Sequence, residues 1–403
     1  MKSGLFNAKN AYVAILLLGI VSLMGDVVYE GSRGIVTPYL AFLGASAFVI
    51  TFVGRFGEFL GYALRLVSGK LADTTRAYWL FIFLGYGLIV SIPLLGIPMI
   101  WQIAIILVLL ERIGKAIRSP SRDAVLSIVS RGIGAGKAFG IHELLDQVGA
   151  ILGPVIVAGL MFYTSNNYNL TFSFLWLPFI MLLIVLVYTY KKVGWKKTAE
   201  PAEIKTEKGG EKLGKAFYAY TLAVLLNTVG LIPYELILLK ARGILEPIGQ
   251  EWIGPLIYAL IQGIDAPSAL LAGFAYDKFK IRVLILPFIL SVVPTFFAMA
   301  NADLTMLIVA AAFFGLVLGM QESIYRAAVA GFAPISSRGT AYGIFNTAYG
   351  VGLLAGGAAY GLMAELKISY LAVIAYVLAT QAVAVVLLLN AYSKTQTRQG
   401  KSV

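Results

Sequence analysis

Charged side chains stand in the middle of long apolar stretches of this sequence. Charges are costly inside a bilayer, and those retained there commonly bind an ion, a proton or a substrate. The first half has many of them: Asp26, Glu30, Arg33, Arg55, Glu58, Arg65, Glu111, Arg112, Lys115, His142, Glu143 and Asp146. The second half has Glu235, Asp265, Glu322 and Arg326. We therefore expect the first half to carry most of the polar chemistry.

Depth in the membrane selects the candidates for proton coupling. Asp26 lies about 15 residues into its apolar stretch, or ~22 Å along a helix that rises about 1.5 Å per residue. Glu58 lies as deep in the next stretch, and Glu111 is slightly shallower. A carboxyl group in apolar surroundings has a raised pKa, so it can bind a proton on one side and release it on the other. His142, whose side chain titrates near neutral pH, and Asp146 complete the proton-coupling candidates.

Spacing along a helix predicts ion pairs, because residues three or four apart share a face. The predicted pairs are Glu30 with Arg33, Arg55 with Glu58, Glu111 with Lys115, His142 with Asp146, and Glu322 with Arg326. Each pair alone is compatible with a structural salt bridge, since a paired charge costs less to bury. The candidates to line a substrate cavity are Glu30, Arg33, Arg55, Arg112, Glu235 and Asp265.

The composition requires lipid as the solvent for much of the surface. Of the 403 residues, 59% are hydrophobic and 13% are charged, whereas a soluble chain has about 25% charged residues. This balance excludes a soluble enzyme, a disordered chain and a nucleic-acid-binding factor, despite a net charge of +12. The partners that we expect are a small-molecule substrate and the lipid bilayer, without nucleic acid, and we expect a monomer.

The residues of metal and nucleophile chemistry are almost missing. The chain has no cysteine and one histidine, which excludes thiolate sites and clusters of histidine ligands. We therefore expect no enzymatic activity and no cofactor or metal, with protons as the coupling ion.

Twelve apolar stretches are long enough to span a membrane as helices. They lie near 11–38, 43–69, 77–95, 98–118, 138–163, 170–191, 216–241, 251–275, 281–300, 304–329, 339–363 and 367–392. The sequence thus predicts an all-α integral membrane protein, with a six-helix bundle in residues 1–191, a polar linker in 192–215 and a second bundle in 216–403. Lysine and arginine are concentrated at the termini and the linker, which predicts a multi-pass protein of the cytoplasmic membrane with both termini cytoplasmic.

The two halves repeat the same short sequences. GKLAD at Gly69–Asp73 matches GFAYD at Gly273–Asp277, 204 residues later, and GKAFG at Gly136–Gly140 matches GTAYG at Gly339–Gly343, 203 residues later. A nearly constant offset indicates two parallel repeats of six helices each. Paired bundles with a cleft between them are typical of secondary transporters.

In these features the sequence resembles the major facilitator superfamily over essentially its whole length. The loop from Gly69 through Asp73 to Arg76 is similar to the signature loop of that family, and its copy contains Gly273 and Asp277. The resemblance implies a charged latch that gates the cytoplasmic side. The residues expected to take part in gating are Gly69, Asp73, Arg76, Gly273, Asp277 and Arg122.

A second motif within the resemblance concerns helix packing. Gly149, Gly153 and Pro154 form a G-x-x-x-G-P sequence similar to that of the family's exporters that work by antiport. Glycines four apart give a flat face for packing, and proline bends a helix. The leading interpretation is therefore proton-coupled efflux of a small molecule by alternating access. Two alternatives stay open: uptake or exchange of a small organic anion by the same fold, and a non-transporting membrane sensor or scaffold.

Overall fold

The computed structural model describes residues 8–97, 99–130, 133–194, 212–300, 303–334 and 337–399. Within these ranges the chain forms helices and no β-strand. The first half contains α1 (Ala8–Phe42), α2 (Ala47–Thr75), α3 (Tyr78–Gly87), α4 (Ser91–Leu94), α5 (Trp101–Ser130), α6 (Ala135–Tyr163), α7 (Tyr168–Phe174) and α8 (Trp176–Thr189). A 3₁₀ turn at Leu88–Val90 joins α3 to α4, and a π-helical turn at Tyr190–Gly194 follows α8.

The second half has the same all-helical character. It contains α9 (Lys215–Gly230), α10 (Tyr234–Leu245), α11 (Ile253–Phe279), α12 (Ile285–Leu290), α13 (Val292–Met299), α14 (Leu304–Met320), α15 (Arg326–Phe332), α16 (Arg338–Glu365) and α17 (Tyr370–Gln399). Short 3₁₀ segments occupy Glu246–Ile248 and Lys280–Leu284, and a π-helical segment at Gln321–Tyr325 joins α14 to α15.

Nine helical stretches of the described chain are long and apolar enough to cross a membrane. They are Ala8–Phe42, Ala47–Thr75, Ala135–Tyr163, Tyr168–Val193, Lys215–Ile248, Ile253–Phe279, Arg282–Met299, Leu304–Phe332 and Tyr370–Ser393. The other three predicted spans coincide with the shorter apolar helix Tyr78–Leu94 and with α5 and α16. The count of twelve spans stays a prediction. Most of the predicted linker, residues 195–211, lies outside the described residues.

Contacts within the chain define two compact units. The first comprises Met1–Gly44, Leu60–Ile204 and Gly249–Ala259, and the second comprises Ala45–Phe59, Lys205–Ile248 and Leu260–Val403. Residues 45–59 therefore group with the second half of the sequence, and residues 249–259 group with the first half. The boundaries of the two six-helix bundles at 191 and 216 stay a prediction.

Glycines hold α1 and α6 close together in the first unit. A Cβ atom added at Gly153 would lie 2.9 Å from the Gly31 nitrogen and 2.9 Å from the Val27 Cα and carbonyl oxygen. A Cβ added at Gly149 would lie 2.6 Å from the Leu23 carbonyl oxygen. Small residues let two membrane helices approach until their backbones touch. This contact fixes the position of α1, which carries Asp26 and Glu30, against α6.

A break interrupts the helical stretch between α9 and α10. Gly230 ends α9, Pro233 precedes α10 with an extended backbone, and the intervening residues are not helical. A break in a membrane helix leaves backbone carbonyls that need new partners. Two tyrosine hydroxyls supply them: Tyr360 donates to the Gly230 carbonyl at 2.8 Å, and Tyr376 donates to the Val229 carbonyl at 3.0 Å. The apolar run from 216 to 241 had predicted one continuous span here.

Candidate functional site

Glu30 is the best-paired acid of the first unit. Its Oε1 lies 3.3 Å from the Lys115 ammonium, and its Oε2 lies 3.1 Å from an Arg33 guanidinium nitrogen. The Tyr258 hydroxyl donates to the same Oε2 at 2.7 Å. The predicted pairing of Glu30 with Arg33 is confirmed. Two cations and a hydroxyl thus compensate a single buried carboxylate, and Tyr258 had no signal in the sequence analysis.

The predicted pairing of Glu111 with Lys115 is wrong. Lys115 turns to Glu30 on α1, while Glu111 lies 3.7 Å from Arg112 Nε and 3.7 Å from an Arg118 guanidinium nitrogen. Spacing along α5 places Glu111 and Lys115 on one face, but it carries no information about charges on another helix. The long lysine side chain reaches the carboxylate of the neighbouring helix instead.

Three cationic side chains lie close to the aromatic ring of Tyr29. The Lys115 ammonium lies 4.7 Å from the ring centroid, the Arg118 guanidinium carbon 4.9 Å and the Arg33 guanidinium carbon 5.6 Å. Cations within about 6 Å of an aromatic face are attracted by its quadrupole. The ring therefore helps to hold these positive charges close together.

Asp26 differs from Glu30, although both lie on α1. Asp26 is 6% exposed, and it lies against the Gly149 position of α6, where an added Cβ would be 2.8 Å from its own Cβ. No lysine or arginine of the described chain lies within ion-pair distance of its carboxyl group. The more distant Lys115 charge and the Tyr29 hydroxyl offset only part of the cost of burying this carboxylate, and protonation removes that cost.

A hydrogen-bonded network adjoins Asp26. We call it the Ser22 network, and its members are Ser22, Tyr86, Arg122, His142 and Asp146. Ser22 Oγ lies 2.8 Å from the Tyr86 hydroxyl and 3.1 Å from His142 Nε2, and it accepts a hydrogen bond from Arg122 at 3.0 Å. Arg122 also lies 3.3 Å from Asp146 Oδ2, and His142 Nδ1 lies 3.6 Å from the same oxygen. The predicted proximity of His142 and Asp146 is confirmed.

Two members of this network were missed, and one was expected elsewhere. Ser22 and Tyr86 carry no charge, and the one available signal was that Ser22 lies four residues before Asp26 on the same helix face. Arg122 was expected to act in gating. The structure places its guanidinium against Asp146 and Ser22, and against Asp123 at 3.0 Å.

In the second unit a different ion pair involves α2. Arg55 lies 2.9 Å from the Glu235 carboxylate of α10, and its guanidinium carbon lies 5.2 Å from the Tyr234 ring centroid. The sequence did not indicate this pairing with the buried Glu235 carboxylate of another helix, and the predicted pairing of Arg55 with Glu58 stays a prediction. Glu58 itself is half-buried on α2.

The other acid expected in the cavity, Asp265, is buried on α11 at 4% exposure. Its backbone carbonyl lies in direct contact with the Gly319 position of α14. The structure thus places Asp265 where α11 and α14 approach closely.

An uncharged network in the second unit was not anticipated from the sequence. The Asn227 side chain donates to Ser291 Oγ at 3.1 Å and to Gln381 Oε1 at 2.7 Å. Its oxygen accepts hydrogen bonds from Gln321 at 3.0 Å and from Tyr325 at 2.7 Å. Gln321 and Tyr325 belong to the π-helical segment, a distortion that is often found at functional sites. This hub ties α9 to the π-helical segment and to α17.

The residues of the predicted gating loops lie at the ends of α2 and α11. A Cβ at Gly69 would lie 3.4 Å from Pro120 of α5, and Asp73 accepts a hydrogen bond from the Tyr78 hydroxyl at 2.9 Å. Arg76 follows α2 with a positive φ of 56°. In the copy, Gly273 faces Ser323 Oγ at 3.2 Å, and Asp277 is exposed.

The hydrogen bond of Asp73 permits a test of the latch. We expect Asp73→Asn to reduce transport while changing the stability by less than about 0.5 kcal/mol, because an exposed surface charge contributes little to folding. Tyr78→Phe removes the hydroxyl that Asp73 accepts and is the matched variant. Transport rates and melting temperatures of the purified variants measure both effects. Wild-type transport by Asp73→Asn would make the loop an anchor without a gating role.

Comparisons with known proteins identify the family. A sequence model of the Major Facilitator Superfamily matches residues 251–402. An uncharacterized protein of Mycobacterium bovis is 35% identical over 391 residues, which cover 94% of this chain and 93% of the relative. An uncharacterized MFS-type transporter of Methanocaldococcus jannaschii is 27% identical over 85% of each chain.

The fold agrees with solved transporters. A crystal structure of the peptide transporter POT has a TM-score of 0.75 at 14% sequence identity, and the match covers 95% of each chain. At this identity the likeness concerns the fold alone. The family model, the MFS-type relative that covers 85% of the chain and the fold together identify the chain as a member of the major facilitator superfamily, a family of multi-pass membrane transporters, which implies a lipid bilayer and a small-molecule substrate.

Proposed function

We propose that the protein is a proton-coupled secondary transporter that exports a small molecule, and that Asp26 carries the coupling proton. The observation that carries the proposal is the contrast between two acids of α1. Glu30 has two cations and a hydroxyl, whereas Asp26 is buried with no ion pair to a described lysine or arginine. Asp26 is thus the acid of α1 for which gaining and losing a proton changes the energy of the site most.

Coupling follows from this difference. When water reaches Asp26, the ionised carboxylate is hydrated, and when it is sealed from water, the neutral form costs less. A cargo that binds better to one of these two forms links its own movement to that of the proton. The alternating exposure of Asp26 to the two sides then converts a proton gradient into a cargo gradient.

The remaining features of the proposal concern architecture and direction. We propose twelve spans in two six-helix bundles, with both termini on the cytoplasmic side of the cell membrane, and a monomer as the working unit. Export is supported by the Gly149, Gly153 and Pro154 sequence of α6, which resembles that of antiporting exporters and packs directly on α1.

Membrane vesicles test the proposal once a cargo is in hand. A library of small molecules is first screened for stabilisation of the purified protein at an acidic and an alkaline pH. We expect at least one compound to raise the melting temperature in a pH-dependent way. Inverted vesicles with an acidic interior should then accumulate that compound while their pH gradient dissipates. Accumulation without any effect of the gradient would contradict proton coupling.

A second candidate function is the uptake or exchange of a small organic anion. The observation in its favour is the group of cations around the Tyr29 ring, formed by Arg33, Lys115 and Arg118. The same vesicles decide between the two functions. Anion uptake predicts hits that carry a carboxylate or phosphate and that accumulate in right-side-out vesicles, and export predicts accumulation in inverted ones.

A further inference from the structure

The Ser22 network adjoins Asp26 from both helices that meet there. On α1, Ser22 precedes Asp26 by four residues, which is about one helical turn. On α6, Asp146 precedes by three residues the Gly149 position, which packs against the Cβ of Asp26. The acids become more exposed with distance from Asp26. The whole Asp26 residue is 6% exposed, the side chain of Asp146 is 18% exposed, and that of Asp123 is 46% exposed.

We propose that the Ser22 network is the relay that moves a proton between Asp26 and water, with Asp146 as the intermediate carrier. The inference rests on the proposed role of Asp26 as the coupling group. A proton leaves the Asp26 carboxyl group for Ser22 Oγ, the Ser22 hydroxyl proton passes to His142 Nε2, and the His142 Nδ1 proton passes to Asp146 Oδ2 and from there to water. The reverse path loads Asp26. Bonds to hydrogen alone break and form along this path, so no oxidant, reductant or other reactant is needed.

The contacts of the network allow two arrangements of its protons. With Asp146 ionised, His142 carries its proton on Nδ1 towards Asp146, Ser22 donates to His142 Nε2, and Tyr86 donates to Ser22. With Asp146 protonated, Nδ1 is the acceptor facing it, Nε2 carries the proton towards Ser22, and Ser22 donates to Tyr86. A hydroxyl can both donate and accept, so the passage of one proton through Ser22 and His142 converts the first arrangement into the second. The imidazole gains a proton at Nε2 and loses one at Nδ1, and the Ser22 and Tyr86 hydroxyls then rotate.

Arg122 can only donate, and it does so in both arrangements. One of its nitrogens bonds Ser22 Oγ and Asp146 Oδ2, and the rest of the guanidinium contacts Asp123. It therefore offers a fixed positive charge to the two acids at the exposed end of the path. Lys115 and Arg118 on α5 and the Asp26 carboxyl group on α1 also act electrostatically on Asp146.

The second carboxylate oxygen of Asp146 supplies an independent observation. Asp146 Oδ1 is buried, and it has no hydrogen-bond partner among the residues that the structure describes. A buried acceptor left unsatisfied costs about 1–3 kcal/mol. A proton taken up at Oδ2 makes Oδ1 the oxygen of a neutral acid, which costs less to leave unsatisfied than that of a carboxylate. The unsatisfied oxygen thus favours the uptake of a transferred proton by Asp146.

A pH jump on the purified full-length protein tests the relay without a known cargo. The protein is moved rapidly from acidic to alkaline solution, and a soluble pH-indicator dye follows the released protons. The difference between the wild type and Asp26→Asn isolates the proton of Asp26. We expect His142→Gln and Ser22→Ala to keep the amplitude of this release and to slow it by about tenfold or more, because proton transfer through a positioned group is lost.

Azide and formate, small carriers that can replace a missing proton donor, should restore the rate in both variants. Glu143→Gln is the matched control: Glu143 is the exposed neighbour of His142, bonded to Gln147 at 3.3 Å, and its loss should leave the rate unchanged. Melting temperatures identify any variant that fails to fold, and Tyr86→Phe then replaces it in the test.

Two outcomes contradict the relay, and they are distinguishable. If the Asp26 component is present but His142→Gln and Ser22→Ala release it at the wild-type rate, the relay is wrong and the coupling role of Asp26 stands. If the wild type and Asp26→Asn release equal amounts of protons, Asp26 does not titrate, and the proposed function fails together with the relay.

Discussion

Replacing Asp26 by asparagine is expected to abolish transport that is driven by a pH gradient. Asparagine keeps the volume and the polarity of the side chain, but it cannot bind or release a proton. Exchange of labelled for unlabelled cargo across the same membrane should survive, since exchange needs no net movement of protons. Proteoliposomes loaded with a compound from the stability screen measure both reactions. Loss of gradient-driven transport with retained exchange is the signature of a missing coupling group.

Glu58→Gln is the companion variant, because Glu58 is the other leading candidate from the sequence. The proposal predicts full loss of gradient-driven transport in Asp26→Asn and a smaller effect in Glu58→Gln. The exposed Glu143→Gln serves as the control for removal of a carboxylate as such. Retention of gradient-driven transport by Asp26→Asn would show that Asp26 is structural, and Glu58, Glu111 and the His142–Asp146 pair would then be tested in turn.

The contact between α1 and α6 gives the second large expected effect. Gly153→Ala should lower the melting temperature of the protein, because the new methyl group would lie 2.9 Å from backbone atoms of Val27 and Gly31. Backbone atoms cannot rotate away, and overpacking of this kind costs about 1–3 kcal/mol. The separation of α1 from α6 should also disturb Asp26, so transport should fall with stability.

Gly159→Ala on the same helix is the matched control. A Cβ at Gly159 would have no atom within 4 Å, so the substitution adds a methyl group without a clash. Alanine is also a better helix former than glycine by up to about 1 kcal/mol. The control should therefore be as stable as the wild type or slightly more stable. Equal melting temperatures for Gly153→Ala and Gly159→Ala would mean that α1 and α6 are not in close contact.

The sequence predicted the all-helical character of the chain and two of the ion pairs whose partners lie on one helix. Glu30 with Arg33 and His142 with Asp146 are spaced three and four residues apart, and the helix itself brings them together. The sequence did not predict the partner of Lys115, because the Glu30 carboxylate lies on another helix. No periodicity within a segment reveals which neighbouring segment will supply a charge.

Uncharged polar residues were the second source of error. Tyr258, Ser22 and Asn227 each make several of the hydrogen bonds that organise the two units, yet a tyrosine, serine or asparagine in an apolar stretch is too common to be noticed. Their roles follow from which carboxylate, imidazole or amide they meet. The break at Gly230 and Pro233 did leave a signal, since both residues weaken a helix, but the apolar run around them is continuous.

That break divides a membrane-spanning segment into two rods joined by a pivot. Bending a continuous helix would stretch its internal hydrogen bonds, whereas bending at residues 231–233 leaves those of α9 and α10 intact. The two hydroxyls that hold the freed carbonyls belong to Tyr360 of α16 and Tyr376 of α17. Both bonds hold the end of α9, so α10 can swing about residues 231–233 while that end stays fixed to α16 and α17. The firmness of this support is thus set by two phenol groups far away in the sequence, and phenylalanine at either position would loosen it.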